Sequence, residues 1–354
     1  MDKLSSISEQ LARIHSRVIA AIPEVNRIAC ALYDAESDQL TTYVDSTLQG
    51  KPLTGYQFRL SDSASLSRIA ETGQTRYLAH LQEAIDRGRA HSRWLLDEQY
   101  QASVTVPMYK RGQFIGFTFY NSFLPEAFPA SVREDLEAYA ALIADAIVTS
   151  ELPVRILERI ARLRDSETAD HLSRMGAYCR LIAQELGSQG LLDDERIQDI
   201  YLLAPLHDIG KIAIPDAVLL KAEEFTADER RTMQKHVEAG LSLLDDLNGL
   251  CAFSPQRLEC LSRIIGEHHE RLDGSGYPLG LAGDEISMEG RITAVADVFD
   301  ALVSERIYKP AWSEEDAVME LQRLVDAGQL DASCTDALLL NLPHTHAVRR
   351  LYRD

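Results

Sequence analysis

The stretch HHERLDGSGYP, His268–Pro278, sets two adjacent histidines a few residues ahead of a glycine-rich turn. Such a pairing is odd for a surface loop but natural at a helix end, where successive side chains diverge by about 100° and address different sides of one cluster. Gly274 and Gly276 permit backbone conformations closed to other residues and Pro278 stiffens the exit, so the chain can turn sharply beside the histidines. Tyr277 then lines a pocket or packs underneath, and mainly structural work is expected of it. On both sides of this stretch apolar residues recur with the helical period: HLSRMGAYCRLIAQEL, RIQDIYLLAPL, ADERRTMQKHVEAGLSLLDDL and AVMELQRLVDAG all read as helices. No strand is convincing there, and the second half is expected to be all-α.

Within that half, imidazoles and carboxylates come in a suggestive order: Glu167 and His171, His207-Asp208, His236, His268-His269 and Asp297. Glu167 and His171 stand four apart on a predicted helix, on one face and within reach of a common ion. His207 and Asp208 follow the apolar run YLLAPL, so a buried helix is expected to carry them inward; Asp297 lies within the apolar ITAVADVFDALV. A buried, unpaired carboxylate is costly, and a metal ion is an economical partner. Taken singly, Glu167 with His171 reads as a solvated pair and His236 as a surface imidazole; a metal site explains the ordered set at once. Nitrogen and carboxylate ligands without thiolate suit iron, manganese, zinc or nickel. Eight candidates exceed what one ion needs, so two or three ions are expected, a carboxylate bridging them at about 3.5–4 Å. Glu267, Glu270 and Asp300 stand near ligands and read as solvated or as supports for them. Lys211, Arg306 and Lys309 are cations in an otherwise acidic half.

The first half has another character. After an amphipathic helix, NRIACALYD and QLTTYVDST read as strands joined by AESD, SDSASLSRIAETG as a capped helix, and ASVTVPMY with QFIGFTFY as a hairpin through Lys110-Arg111-Gly112. This is α+β with an antiparallel sheet, in which Cys30 reads as a packed thiol and Phe114, Phe117 and Phe119 as sheet packing. From about Ala130 a helical pattern (Leu136, Tyr139, Ile143, Ala146, Ile147) runs toward Arg164, with a bend or break expected at Pro153. The expected organisation is two domains, 1–130 and 155–354, with a connecting helix at 131–154.

Bulk properties agree with two domains, since 354 residues exceed one ordinary core. Of the net charge of -19, residues 1–150 account for 14 basic against 18 acidic side chains and the remainder for 22 against 37, which argues against duplex nucleic acid as a partner. No apolar run of about 18 residues is present to span a membrane, and charges interrupt the first helix where a signal peptide would be apolar; a cytoplasmic location is expected. Cys30, Cys179, Cys251, Cys260 and Cys334 are odd in number, far apart and without a CxxC, so neither a disulfide framework nor a thiolate zinc site is indicated.

Over about residues 155–350 the chain resembles the HD-GYP phosphodiesterases, a branch of the HD-domain phosphohydrolases. The likeness rests on HDIGKIAIPD (His207–Asp216), His236, HHERLDGSGYP and RITAVADVFDALVSERIYKP ending at Pro310. It implies a helical bundle with metal positions at His171, His207, Asp208, His236, His268, His269 and Asp297, and Glu167 matches the glutamate that trinuclear members carry. The resemblance further implies two or three divalent ions, iron or manganese foremost, and hydrolysis of cyclic di-GMP to pGpG, in some members on to GMP, by metal-activated water. Asp208 and Lys211 would be catalytic, and Lys211, Gly276, Tyr277, Arg306 and Lys309 would face the substrate; GGDEF-domain proteins are partners in keeping with that role. Two alternatives stand beside it: hydrolysis of another cyclic dinucleotide or nucleotide, and a receptor or protein-interaction platform without turnover. Residues 1–150 resemble a GAF domain, a sensor module whose sheet is flanked by helices and whose small ligand the sequence does not name. A sensor joined by a long helix to a catalytic domain implies regulation and a homodimer along that helix.

Overall fold

The computed structural model describes residues 5–84, 90–164, 168–221, 223–247, 253–305 and 311–352. They divide into two units, one of residues 5–150 with 193–195, the other of the remaining residues from 151 onward.

The first unit is built on a six-stranded antiparallel sheet: β1 (Arg27–Asp34), β2 (Gln39–Thr47), β3 (Gln57–Arg59), β4 (Arg76–Leu78), β5 (Ala102–Lys110) and β6 (Gln113–Ser122), in the order β3-β2-β1-β6-β5-β4. The β5–β6 hairpin closes where Lys110 pairs with Gln113, with positive φ at both Arg111 (52°) and Gly112 (81°), as a two-residue turn of the right twist requires. The edge strands β3 and β4 are three residues long, too short for an alternating pattern to announce them. Alternation in β1 sends Ile28 and Cys30 to one face, where they meet Leu11 and Val18 of helix α1 (Ile7–Ala21), and Ala31 to the other, beneath Leu66 and Ile69 of α2 (Ala64–Thr72). Ser63 caps α2 and Gly73 ends it in the left-handed conformation. Phe117 and Phe119 are buried in the sheet, and the Cys30 thiol, 3.9 Å from the Thr118 hydroxyl, is pushed up to about 12 by burial: all three are packing residues, as expected.

A 32-residue helix, α3 (Arg133–Arg164), follows. Leu136, Ala140, Ile143 and Ile147 on it are buried in the first unit, whereas Val154 and Leu157 belong to the core of the second. Of the bend or break expected at Pro153, no break occurs: the helix is continuous through it. Proline removes one helical hydrogen bond, costing about 3 kcal/mol, but buried side chains on both flanks, each stabilising by about 1.5–3 kcal/mol, hold the helix through it.

The second unit is helical: α4 (Thr168–Ser188), α5 (Asp194–Leu203), α6 (Ala227–Gln234), α7 (His236–Leu247), α8 (Pro255–Glu267), α9 (Met288–Val303), α10 (Glu314–Asp326), α11 (Ala332–Leu340) and α12 (Leu342–Leu351). Among its described residues there is no strand, only the isolated bridge between Asp273 and Ala282. Its core lies between α4 (Met175, Tyr178, Ile182), α8 (Leu261, Ile264, Ile265) and α9 (Ile292, Val295, Phe299). Cys179, Cys260 and Cys334 are buried free thiols there; Cys251 lies outside the described residues.

Candidate metal centre

Five elements of the helical unit converge on one place. His171 comes from α4 and Asp297 from α9; His236 is the first residue of α7; His268 caps the end of α8 and His269 follows it. His207 and Asp208 arrive differently from the sequence expectation. Helix α5 stops at Leu203, because Pro205 has no N–H to offer the carbonyl four residues back. The chain goes on in two 3₁₀ segments, Ala204–Leu206 and Ile209–Ala213, with the two ligands between them. A tight turn, not a helix, delivers them. Gly210 lets α7 close onto that turn: a Cβ there would stand 1.9 Å from the His236 carbonyl oxygen and 2.4 Å from the Gly240 nitrogen.

The donor atoms gather in two groups, Asp208 with His236, His268 and His269, and His171 with His207 and Asp297; within each group they lie within 4.8 Å of one another. The groups adjoin at Asp208. Its Oδ1 is 3.1 Å from His236 Nε2 and 3.7 Å from His268 Nε2, and its Oδ2 is 3.2 Å from His207 Nε2. One carboxylate thus turns an oxygen to each group. His268 and His269 fall in the same group, their rings 4.0 Å apart.

Four of the five imidazoles are anchored through Nδ1. His207 donates to the Ala204 carbonyl (2.9 Å), His236 to that of Met233 (2.7 Å), His268 to that of Ile265 (2.9 Å), and His171 to the Asp300 carboxylate (2.7 Å). An oxygen that can only accept fixes the proton on Nδ1 and leaves Nε2 as a bare lone pair aimed at the centre. His207 Nε2, His236 Nε2, His268 Nε2 and Asp208 Oδ1 are buried without a hydrogen-bond partner. Each such atom costs about 1–3 kcal/mol, and four converging lone pairs are what a cation satisfies. Their separations suit it too, since ligands about 2.1 Å from an ion and at right angles stand about 3 Å apart. The residues fit one or more divalent ions.

The charges follow the same logic. Burial alone would raise Asp208, but Lys211, whose Nζ is 2.6 Å from Oδ2, and His207 hold it well below the ordinary carboxylate range. Burial opposes charge on His207, yet Asp208 beside it lifts its pKa. Burial pushes His268 and His269 down, the latter helped by the neighbouring His268, so both stay neutral and able to coordinate.

Of the other anticipated residues, Lys211 sits beside Asp208 as described, and Tyr277 stacks on the His269 ring (4.6 Å between centroids, 29° between planes). Gly274 has the expected positive φ of 77°, but Gly276 is demanded by proximity: a Cβ would come within 2.4 Å of Glu270 Cα and 2.5 Å of Arg271 N. Glu270, read as solvated or supporting, is buried and accepts from the backbone N–H groups of Leu279 (2.7 Å), Gly280 (3.2 Å) and Leu281 (3.0 Å), which holds the glycine-rich turn against the histidines. Glu267 accepts from the Ser287 N–H and hydroxyl at the start of α9. Glu167, Arg306 and Lys309 lie outside the described residues. Sequence reasoning overlooked Gly210 and Gly240, and Arg174, whose only signal was its place three residues after His171.

A family model described as HD domain matches residues 155–334. The chain belongs to the HD-domain family. The cyclic di-GMP phosphodiesterase response regulator RpfG of Xanthomonas campestris pv. campestris is 44% identical over 203 residues, 56% of this chain and 50% of that protein. The 3′3′-cGAMP-specific phosphodiesterase 2 of Vibrio cholerae is 41% identical over 181 residues, 51% of this chain and 33% of that one. The HD-domain chain therefore spans half or less of the length of these relatives. Among solved structures, the GAF domain/HD domain protein from Geobacter sulfurreducens is similar with a TM-score of 0.33 and 17% identity, covering 41% of this chain and 94% of that one.

Proposed function

We propose that this protein is a metal-dependent phosphodiesterase that opens cyclic di-GMP to the linear dinucleotide pGpG. The observation behind the reading is the pair of donor groups joined at Asp208, with three bare imidazole nitrogens and one bare carboxylate oxygen buried between them. The substrate is taken from the names of relatives such as RpfG. Divalent ions held there, iron or manganese, two of them or three with Glu167, would polarise the phosphodiester and lower the pKa of a bound water. Asp208 holds the two groups in register. Lys211 keeps a cation at the edge of the centre, against Asp208, where it can meet a phosphoryl oxygen and return a proton to the leaving alkoxide. Tyr277, fixed by its stack on His269, and Gly276 form the wall beside the ligands, and Arg306 and Lys309 complete the phosphate contacts.

In this reading the enzyme works in the cytoplasm; no helix among the described residues is long and apolar enough to cross a membrane. Residues 1–130 are a GAF-like sensor domain for a small ligand, tied through the connecting helix to the catalytic domain, and GGDEF-domain proteins are partners of the enzyme. A homodimer forms along α3, where Leu142 (56% exposed), Leu152 (51%), Ile156 (51%) and Ile160 (39%) present apolar surface to solvent. A second reading, 3′3′-cGAMP as substrate, is favoured by the Vibrio cholerae relative. Incubating metal-loaded protein with each dinucleotide and separating the products distinguishes them. Linear pGpG is expected from cyclic di-GMP; opening of 3′3′-cGAMP alone transfers the proposal to that substrate, and cyclic di-GMP bound but unchanged makes the protein a receptor.

A further inference from the structure

Helices α4 and α9 face each other with matched polar stripes: His171, Arg174 and Tyr178 on one, Asp297, Asp300 and Ser304 at the end of the other, at the i, i+3, i+7 spacing that keeps side chains on one helix face. Asp300 is buried and accepts four hydrogen bonds, from His171 Nδ1 (2.7 Å), from Arg174 Nε (2.7 Å) and Nη2 (3.2 Å), and from the Ser304 hydroxyl (3.2 Å). Arg174, also buried, uses Nη1 to donate to the carbonyl of Tyr352 (3.1 Å), just beyond α12. On the next turn Tyr178 sets its ring edge-on against Phe299 (5.2 Å), which fixes the height of α4 against α9.

The anchoring of His171 therefore differs in kind from that of its partners. His207, His236 and His268 are tied to carbonyls three residues back in their own turns. His171 depends on a carboxylate 129 positions away, which a bidentate arginine holds, which the end of the chain holds in turn. A carboxylate behind a ligating imidazole fixes its tautomer and raises its basicity, and removing such a partner costs about 10–100-fold in metal affinity. A bidentate guanidinium in a buried site fixes both oxygens of that carboxylate, which a lysine's point charge does not.

We propose that Arg174 and Asp300 are positioning residues that set the metal affinity of the His171–His207–Asp297 group and leave the Asp208–His236–His268–His269 group unaffected. The inference rests on the metal reading of the site given above. It predicts that the two groups differ in how they fail: the second is built from local turns, the first hangs on tertiary contacts reaching to the end of the chain.

The test is anaerobic titration of the full-length protein with Mn²⁺, followed by calorimetry and metal analysis, with melting temperature recorded on the same samples. The wild type is expected to show at least two classes of site, and His171→Ala identifies the class belonging to its group. Arg174→Met should weaken that class by about tenfold or more and leave the other within about twofold, whereas Arg174→Lys, which keeps the charge, should recover part of the loss. If Arg174→Met does not fold, Asp300→Asn, which keeps size and an acceptor for His171, should give the same selective weakening. Unchanged affinities in Arg174→Met, or parallel loss in both classes tracking a lowered melting temperature, overturn the inference: the pair is then a buried bridge between two helices and no more. A wild type that binds neither Mn²⁺ nor, in the same anaerobic titration, Fe²⁺ overturns the metal reading itself.

Discussion

Two buried histidines, one in each unit, show what separates a core residue from a ligand. His15, in the first unit, has both nitrogens engaged: Nε2 donates to the Val25 carbonyl (3.3 Å) and Nδ1 accepts from the Ser46 hydroxyl (2.8 Å). His207, in the second, is as deeply buried but engages only Nδ1, and its Nε2 faces Asp208 without hydrogen-bond geometry. The first is a neutral imidazole with nothing left to offer. The second keeps a lone pair, and two more like it point at the same carboxylate. Neither burial nor residue type distinguishes them; the tally of satisfied donors and acceptors does.

The harshest way to break the contrast is to remove what the bare nitrogens share. Asp208→Ala takes away the group that faces both donor sets, and bound metal should fall below one ion per chain with kcat reduced roughly a thousandfold or more. Metal analysis beside product separation checks it, and near-normal turnover in that variant sinks the mechanism.

That carboxylate was legible in the sequence because its signal is local: HDIGK puts His207, Asp208 and Lys211 within five residues, and HH puts two ligands side by side. The supports were legible only in part, Asp300 through its place near Asp297 and Arg174 not at all. Arg174 and Asp300 are 126 positions apart, and nothing in either segment says that they meet; Gly210 matters only because α7 passes within contact of it. Similarly, β1, β2, β5 and β6 carry enough alternation to be read, while three-residue edge strands do not. Pro153 did not end its helix, since buried packing on both sides of it holds the helix together. Chemistry that sits in one turn reads out early, and chemistry shared between distant turns needs the fold.

Removing the ion and keeping the protein should act on one unit alone. Metal at about a hundred times its Kd stabilises the unit that binds it by about 2.7 kcal/mol, so a chelator should lower the melting transition of the helical unit and leave that of the sheet unit in place. Equal shifts in both transitions would mean that the bare lone pairs are not where the ion binds.

A gentler change tests the wall of the site. Gly276→Ala drives a methyl against the backbone of residues 269–271 and should cost about 1–3 kcal/mol, moving Tyr277 off His269 as the turn gives way. Loss of kcat/KM with metal content retained is the expected result, and loss of metal in step with activity would instead place the damage at His269.

The smallest effect returns to His15. Gln in its place keeps one donor and one acceptor, so His15→Gln should destabilise the sheet unit by about 1 kcal/mol without touching metal content, whereas His207→Gln should empty its group. Acid supplies the sharper readout. Burial holds the folded pKa of His15 below its ordinary 6.5, because the charged form would forfeit solvent. Between 6.5 and that lower value the unfolded chain binds a proton which the folded chain refuses, so stability falls as pH drops through 6.5 and is recovered on raising it. Denaturant melts of the sheet-unit transition from pH 7.5 to 5 should show this loss in the wild type and lack it in His15→Gln. An identical slope in both proteins would assign the acid sensitivity elsewhere, and with it the claim that His15 is a neutral, fully satisfied core residue would fail.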